Sequence, residues 1–173
     1  MRRTLMVLMA VPMAAGLTAC AEETAAPDGT PSPTAETHVV AVFFGAPGAA
    51  ETDCALVQAV ERTTDGPDVL RDAVAALLEG PTAEEQADEL WSFFSDETAG
   101  MLISAEVDEG VARLDFEDFS GIIPNASSSC GSASLLAQLD ATATQFPTVG
   151  EAVCSFEGSE EAFYGWLQME PPE

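Results

Sequence analysis

Residues 132–158 constrain the fold of this chain most, because they predict a helix, an enforced stop and a strand in close succession. Ser132 is a good N-terminal cap, and Pro147 forbids continuation of the helix since proline lacks an amide hydrogen. Apolar residues recur between them at the spacing of one helix face: Leu136, Leu139, Ala143 and Phe146. A β-branched and aromatic run over residues 149–156 then predicts a strand that ends at Gly158. Such a unit needs other strands and a second helix to bury its apolar side.

The preceding chain supplies those elements. Residues 38–44 (HVVAVFF) predict a strand buried on both faces, and residues 55–62 predict a second, more exposed strand. Pro67 is expected to begin a helix, because proline is tolerated in the first turn of a helix. Its buried stripe consists of Leu70, Val74 and Leu77, and Gly80-Pro81 stops it. Residues 82–85 (TAEE) form a capping box that predicts a short further helix.

Residues 101–107 and 111–116 predict a β-hairpin around the turn Asp108-Glu109-Gly110. Alternating residues on the two strands are expected to face the core: Ile103, Ala105 and Val107, then Ala112, Leu114 and Phe116. Residues 160–167 predict a helical cap over the core. This order of elements indicates an α+β fold in which two main helices cover one face of a small mixed β-sheet.

The chain is strongly acidic, with 30 Asp and Glu residues against 5 basic ones and a net charge of −25. All 5 basic residues are arginines, and removal of Arg2 and Arg3 leaves 3 arginines against 30 acids, a net charge of −27. A surface of this charge repels nucleic acid and anionic lipid. The acids therefore form a solvated face that keeps the domain soluble, or they meet a neutral or cationic partner.

The N-terminus has the three parts of a secretory signal: Arg2 and Arg3, an apolar core over residues 5–17, and a small-residue end. The apolar core is too short for a permanent membrane span. Leu17-Thr18-Ala19-Cys20 resembles the lipobox of bacterial lipoproteins, in which cleavage before the cysteine leaves a thiol that carries diacylglycerol. This resemblance implies lipidation of Cys20; the alternative is an ordinary secreted protein with a chance cysteine in its signal.

The sequence after Cys20 is rich in Ala, Pro, Thr and Glu and lacks large apolar residues, so it predicts a disordered tether. If mostly extended at about 3 Å per residue, this tether holds the domain some 50 Å from the bilayer. The predicted organisation has four parts: a signal peptide at 1–19, the lipidated cysteine and tether at 20–37, one domain at 38–158, and a helical cap and tail at 159–173.

Three cysteines remain once Cys20 is lipidated, so at most one internal disulfide forms in a compartment where disulfides persist. We favour Cys54 with Cys130, because both lie at loop edges, whereas Cys154 lies inside an apolar strand and suits a buried thiol. No bridge, or another pairing, is the alternative.

The residues offer little for catalysis or metal binding. Scattered cysteines and His38 do not make a zinc site, and His38, at the start of a strand, suits a solvent-exposed position better than a catalytic base. Residues 115–121 look like a calcium loop, but Phe119 stands where a ligand is required. Gly131-Ser132-Ala133-Ser134 lacks the final glycine of a nucleophile elbow. We therefore expect no enzyme activity, no metal and no cofactor.

Trp91, Phe93 and Phe94 form the densest aromatic cluster of the chain. An aromatic group on a loop after a short helix can anchor a partner, so these residues are a candidate binding surface. More often such a cluster seals a core, and that alternative stays open.

Residues 39–158 are similar to the GerMN domain, found in the spore-germination protein GerM and in many actinobacterial envelope lipoproteins. Three segments carry the resemblance: AALLEGP at 75–81, VDEGVARLDF at 107–116 and LDATATQFPTV at 139–149. This chain departs from the family habit at Ala143, where a larger aliphatic is usual, and at Cys154, where an aromatic is usual. The smaller Ala143 is expected to leave its helix less tightly packed.

The resemblance implies a non-catalytic domain, related in element order to ring-building domains, that binds or assembles with a protein of the envelope. We therefore expect a lipoprotein on the outer face of a bacterial cytoplasmic membrane, held by lipid at Cys20. The alternative function is a receptor for a small ligand or cell-wall fragment, which a concave apolar pocket beside Trp91 would favour.

Overall fold

The computed structural model describes residues 37–172. The predicted signal peptide, Cys20 and the tether up to residue 36 lie outside the described residues. The described elements follow in chain order: β1 (His38–Gly45), α1 (Ala49–Thr52), β2 (Val57–Thr64), α2 (Val69–Leu78), α3 (Ala83–Ala87), β3 (Leu102–Asp108), β4 (Val111–Phe116), α4 (Ser129–Thr144), β5 (Glu151–Phe156) and α5 (Glu160–Trp166).

The strands form two small sheets. β1 and β2 pair antiparallel, while β3, β4 and β5 form a mixed sheet in which β3–β4 is antiparallel and β4–β5 is parallel. The predicted α+β class with a small mixed sheet is therefore confirmed, and the expectation that all strands share one sheet is wrong. Helix α2 contacts β1 and β3, and helix α4 contacts β1 and β5, so the two main helices link the sheets.

The two sheets stay separate because polar side chains of α4 occupy the outer edge of β1. The Ala41 N–H donates to Gln145 Oε1 at 2.7 Å, and Gln145 Nε2 donates back to the Ala41 carbonyl at 2.7 Å. The Phe43 N–H donates to Thr142 Oγ1 at 3.1 Å. These bonds satisfy backbone groups that a neighbouring strand would otherwise pair.

The core combines the helices with the inner faces of the strands. Its largest fully buried side chains are aromatic or aliphatic except for Gln138: Phe44, Phe94, Phe116, Phe119, Phe163, Leu77, Leu78, Leu114, Leu135, Leu139, Leu167 and Gln138. Phe163 of α5 lies 4.9 Å from Phe156 and 6.2 Å from Phe116, between ring centroids. The predicted terminal helix therefore packs into the same core as β4 and β5.

Helix α4 begins earlier than Ser132. Ser128 is its N-cap and accepts from the Gly131 N–H at 3.0 Å, and Pro147 follows the last turn. Ser132 is instead 5% exposed and donates to the carbonyls of Ala126 and Leu167. Its hydroxyl thus joins the helix to the preceding loop and to the C-terminal segment.

Other boundaries and faces also differ from prediction. β1 is not buried on both faces, because Val39 is 65% exposed while Val42 on the alternate face is fully buried. A register shift between Leu102 and Ser104 turns Ile103 to solvent, while Val107, on the same face as buried Ala105, is 45% exposed near the end of the strand. Helix α2 takes Asp68 as its N-cap rather than starting at Pro67, and the second strand lies at 57–64. The alternation of β4 and the α3 capping box are confirmed.

Candidate functional site

Cys54 and Cys130 form a disulfide with Cα atoms 5.3 Å apart, as predicted. Cys54 lies in the connection between α1 and β2, and Cys130 is the second residue of α4. The disulfide therefore links the connection between β1 and β2 covalently to the start of α4.

Cys154 is a free, buried thiol on β5, also as predicted. Burial, followed by the negative charge of Asp140, raises the pKa of Cys154 well above its usual range. A thiol that stays protonated is a poor nucleophile and a poor metal ligand. Cys154 is therefore a packing residue.

The aromatic cluster divides between surface and core. Phe94 is 2% exposed and packs against Phe119, so its assignment to a binding surface is wrong. Trp91 and Phe93 are half-buried and meet edge to face, with ring centroids 5.3 Å apart. The Trp91 backbone exchanges two hydrogen bonds with Gly45, and any side chain at Gly45 would collide with the indole. Trp91 thus closes the end of β1.

The segment that resembles a calcium loop has a structural role. Phe119 is fully buried among four aromatic rings. Asp115 accepts from the Ser155 hydroxyl at 2.6 Å and from the Gly158 N–H at 2.7 Å, which fixes the end of β5. Within residues 37–172 no three His, Cys, Asp or Glu side chains are grouped to hold a metal ion.

Buried polar side chains on α4 bond to one another and to neighbouring loops. Gln138 accepts from the Ser92 hydroxyl at 2.6 Å and donates to Ser134 at 3.4 Å. In the part of the chain that the structure describes, every buried side-chain nitrogen and oxygen has a hydrogen-bond partner. Catalytic polar groups commonly lie in a cleft and have perturbed pKa values. The buried polar side chains of α4 instead form hydrogen bonds that stabilise the fold.

A groove of about 590 Å³ lies along the outer side of β5, and we call it the α4–β5 groove. It is defined by small or aliphatic side chains of α4, two residues of β5 and one of α5: Ala133, Leu136, Ala137, Ala152, Cys154 and Tyr164. Met169 and Pro172 of the C-terminal segment line it as well. The space exists because alanines occupy positions 133 and 137, one helical turn apart, where larger side chains would fill it.

Polar groups of the α4–β5 groove are few. The Tyr164 hydroxyl accepts from the Cys154 N–H at 3.3 Å, and burial is the main cause that raises the Tyr164 pKa to about 12. Three carboxylates line the groove, Asp140 from α4, Glu151 from β5 and Glu170 from the C-terminal segment, and all three residues are exposed. Burial, and then the charge of Glu151, raises the pKa of Asp140. The charge of Glu151 therefore disfavours the ionised form of Asp140 at the groove.

No arginine of the described residues neutralises these carboxylates, because each is engaged elsewhere. Arg62 pairs with Glu85 at 2.6 Å, and Arg113 pairs with Glu160 at 3.3 Å. Arg71 donates to the carbonyls at the start of β3 at 3.0 and 3.2 Å. The groove carries uncompensated negative charge.

Sequence reasoning missed the α4–β5 groove, which lies away from Trp91. One signal was present: the small Cys154 on β5, where the resemblance to the GerMN domain leads us to expect an aromatic side chain. The matching alanines at 133 and 137 lie on an element distant in sequence, and only the fold places them opposite β5. Ala143, the other departure, is fully buried in the core.

No helix within residues 37–172 combines the length and the apolar character needed to cross a bilayer. No match was found among curated proteins. The tandem GerMN domains of the sporulation protein GerM from Bacillus subtilis share this fold at 22% identity and a TM-score of 0.50. That match covers 72% of this chain but only 40% of the GerM chain, so this chain spans less than half of that protein.

A candidate lipoprotein from Clostridium perfringens is a further structural match, at 18% identity and a TM-score of 0.43, covering 71% of this chain and 76% of that one. The family described as Germane, sporulation and spore germination, matches residues 27–162, well over half of the sequence. The chain therefore belongs to the Germane family of sporulation and spore-germination domains.

Proposed function

We propose that this chain is an extracytoplasmic lipoprotein, anchored to the membrane through lipid at Cys20, whose Germane domain binds a protein of the envelope without catalysing a reaction. The anchor is supported by the charged, apolar and small parts of the N-terminus and by the four residues Leu17-Thr18-Ala19-Cys20. Two or three acyl chains, at about 0.8 kcal/mol per buried methylene, would hold the protein stably.

One observation carries the binding role. The buried side-chain nitrogens and oxygens of residues 37–172 are all hydrogen-bonded within the fold, whereas the α4–β5 groove offers open apolar surface. Open apolar surface with a few polar groups is typical of a recognition site. A binding domain needs such a surface and needs no activated nucleophile.

The α4–β5 groove also supports the alternative function, a receptor for a small ligand or cell-wall fragment. Its volume of about 590 Å³ lies within the range of small-molecule sites. The position of the groove differs from the pocket beside Trp91 that the sequence suggested for such a receptor.

The test of the proposal uses membrane fractionation and crosslinking in living cells of the source organism. Cys20→Ala is expected to release the protein from membranes, and Thr24→Ala, a neighbouring change outside the lipobox, is expected to leave it there. A chemical crosslinker is expected to join the anchored protein to a discrete protein. Retention of Cys20→Ala on membranes would refute the anchor, and a glycan or small molecule in place of a protein adduct would favour the receptor.

A further inference from the structure

The α4–β5 groove has features that narrow the chemistry of its occupant. Its volume of about 590 Å³ and its apolar lining can accommodate one or two aliphatic or aromatic side chains between α4 and β5. The outward Cys154 N–H already bonds to Tyr164, so the strand edge is partly covered. An occupant therefore gains more from side-chain burial than from extending the sheet.

Charge supplies the second constraint. Asp140, Glu151 and Glu170 line the groove together, and the three arginines of the described residues are engaged elsewhere. A cation brought by the occupant would relieve the repulsion between these carboxylates. An acidic or neutral occupant would leave that repulsion in place.

The chain's own N-terminal tether does not fit this requirement. Residues 20–37 contain four acidic residues and no basic one. Like charges would oppose their entry beside Asp140 and Glu151. A second copy of the chain is disfavoured for the same reason, since the residues after the signal carry a net charge of −27, with 3 arginines against 30 acids.

We propose that the α4–β5 groove receives a segment of a partner protein in which an apolar side chain lies next to a lysine or arginine. The apolar side chain packs against Leu136 and the alanines of α4, and the basic side chain pairs with Asp140 and Glu151. This inference rests on the proposed function, because it takes the partner to be a protein, and it adds the site and the chemistry of the contact.

The test places a photo-crosslinking amino acid at single positions of the full anchored chain in living cells. Leu136 reports on the groove, and Met169, an exposed residue that also lines it, reports independently if substitution of Leu136 disturbs folding. Ile103, 44% exposed on β3, is the control position on another surface. The adducts are digested, and the crosslinked segment of the partner is sequenced by mass spectrometry.

The charge requirement is tested by the double variant Asp140→Asn, Glu151→Gln in the same chains. Its matched control is Asp96→Asn, Glu97→Gln, which removes two exposed carboxylates away from the groove. The expected result is a protein adduct at Leu136 or Met169 whose partner segment contains Lys or Arg next to an apolar residue. The groove variant should lower the yield about fivefold, the effect of losing two weak ion pairs, and the control should not.

The remaining outcomes separate this inference from the proposed function. Protein adducts at Ile103 with none at Leu136 and Met169 would overturn the groove as the site and leave the proposed function intact. A groove adduct without a basic residue, one insensitive to the double variant, or one of small non-protein mass would overturn the chemistry. Absence of protein adducts at all three positions would count against both.

Discussion

Removal of the Cys54–Cys130 disulfide is expected to lower the free energy of unfolding substantially. The bridge closes a loop with a sequence separation of 76 residues. In the chain-entropy model, loss of a bridge across a loop of this size costs about 4 kcal/mol at 25 °C, mainly by freeing the unfolded chain. Single domains are stable by only about 5–15 kcal/mol, so the loss is a large share of the total. The melting temperature should fall by roughly 10–20 °C.

The assay is urea unfolding of the chain beginning after Cys20, followed by the fluorescence of Trp91 and Trp166. Three samples are compared: the oxidised protein, the reduced protein, and the Cys54→Ser, Cys130→Ser double variant. The reduced protein and the double variant should unfold at similar, lower urea concentrations, and reductant should not affect the variant. Equal midpoints for oxidised and reduced protein would refute the reasoning, as would three titratable thiols in the unfolded, unreduced chain.

Three further changes test individual contacts. Gln145→Ala removes both side-chain bonds at the edge of β1 and should cost about 1–3 kcal/mol in urea unfolding, whereas Gln86→Ala, with one exposed bond, should change stability by about 0.5 kcal/mol or less. Asp140→Asn should raise the melting temperature at about pH 7 and not at about pH 3, because burial raises the folded-state pKa of Asp140 and its ionisation destabilises the fold as pH rises. Glu85→Gln should lower the melting temperature at about pH 7, because the hydrogen bond from Arg62 lowers the Glu85 pKa. The stability that this hydrogen bond provides is present above the unfolded-state pKa of Glu85 and is lost as the pH falls.

Each of these expectations has a contradicting result. Equal costs for the two glutamine variants would show that the edge of β1 does not depend on α4. A melting temperature of Asp140→Asn that is unchanged or lower at about pH 7 would show that the groove does not disfavour the carboxylate. A Glu85→Gln variant equal to the parent at every pH would show that the Arg62 pair contributes nothing.

Local chemistry predicted much of this fold. The α3 capping box closes through Thr82 and Glu85 within one turn, and the hairpin turn at Glu109 and Gly110 adopts positive φ values. The end of α4 before Pro147 and the alternation of buried and exposed residues on β4 likewise depend on residues close in sequence. Such features need no knowledge of distant elements.

The predictions from the sequence were wrong where contacts between distant parts of the chain determine the structure. The β3 register shift depends on pairing with β4, and it turns Ile103 to solvent. The start of α4 was misplaced because several serines can cap a helix, and Ser132 is drawn to carbonyls outside the helix. The α4–β5 groove arises from small residues on separate elements, which no single stretch of sequence reveals.

Mass spectrometry of the mature N-terminal peptide tests the proposed lipid anchor at Cys20 most directly. The protein is purified from membranes of the source organism and digested, and the N-terminal peptide is isolated. The account predicts a peptide beginning at Cys20, with a mass increased by a thioether-linked diacylglycerol. A mature chain that retains residues 1–19, or that begins near residue 20 without acyl mass, would contradict it.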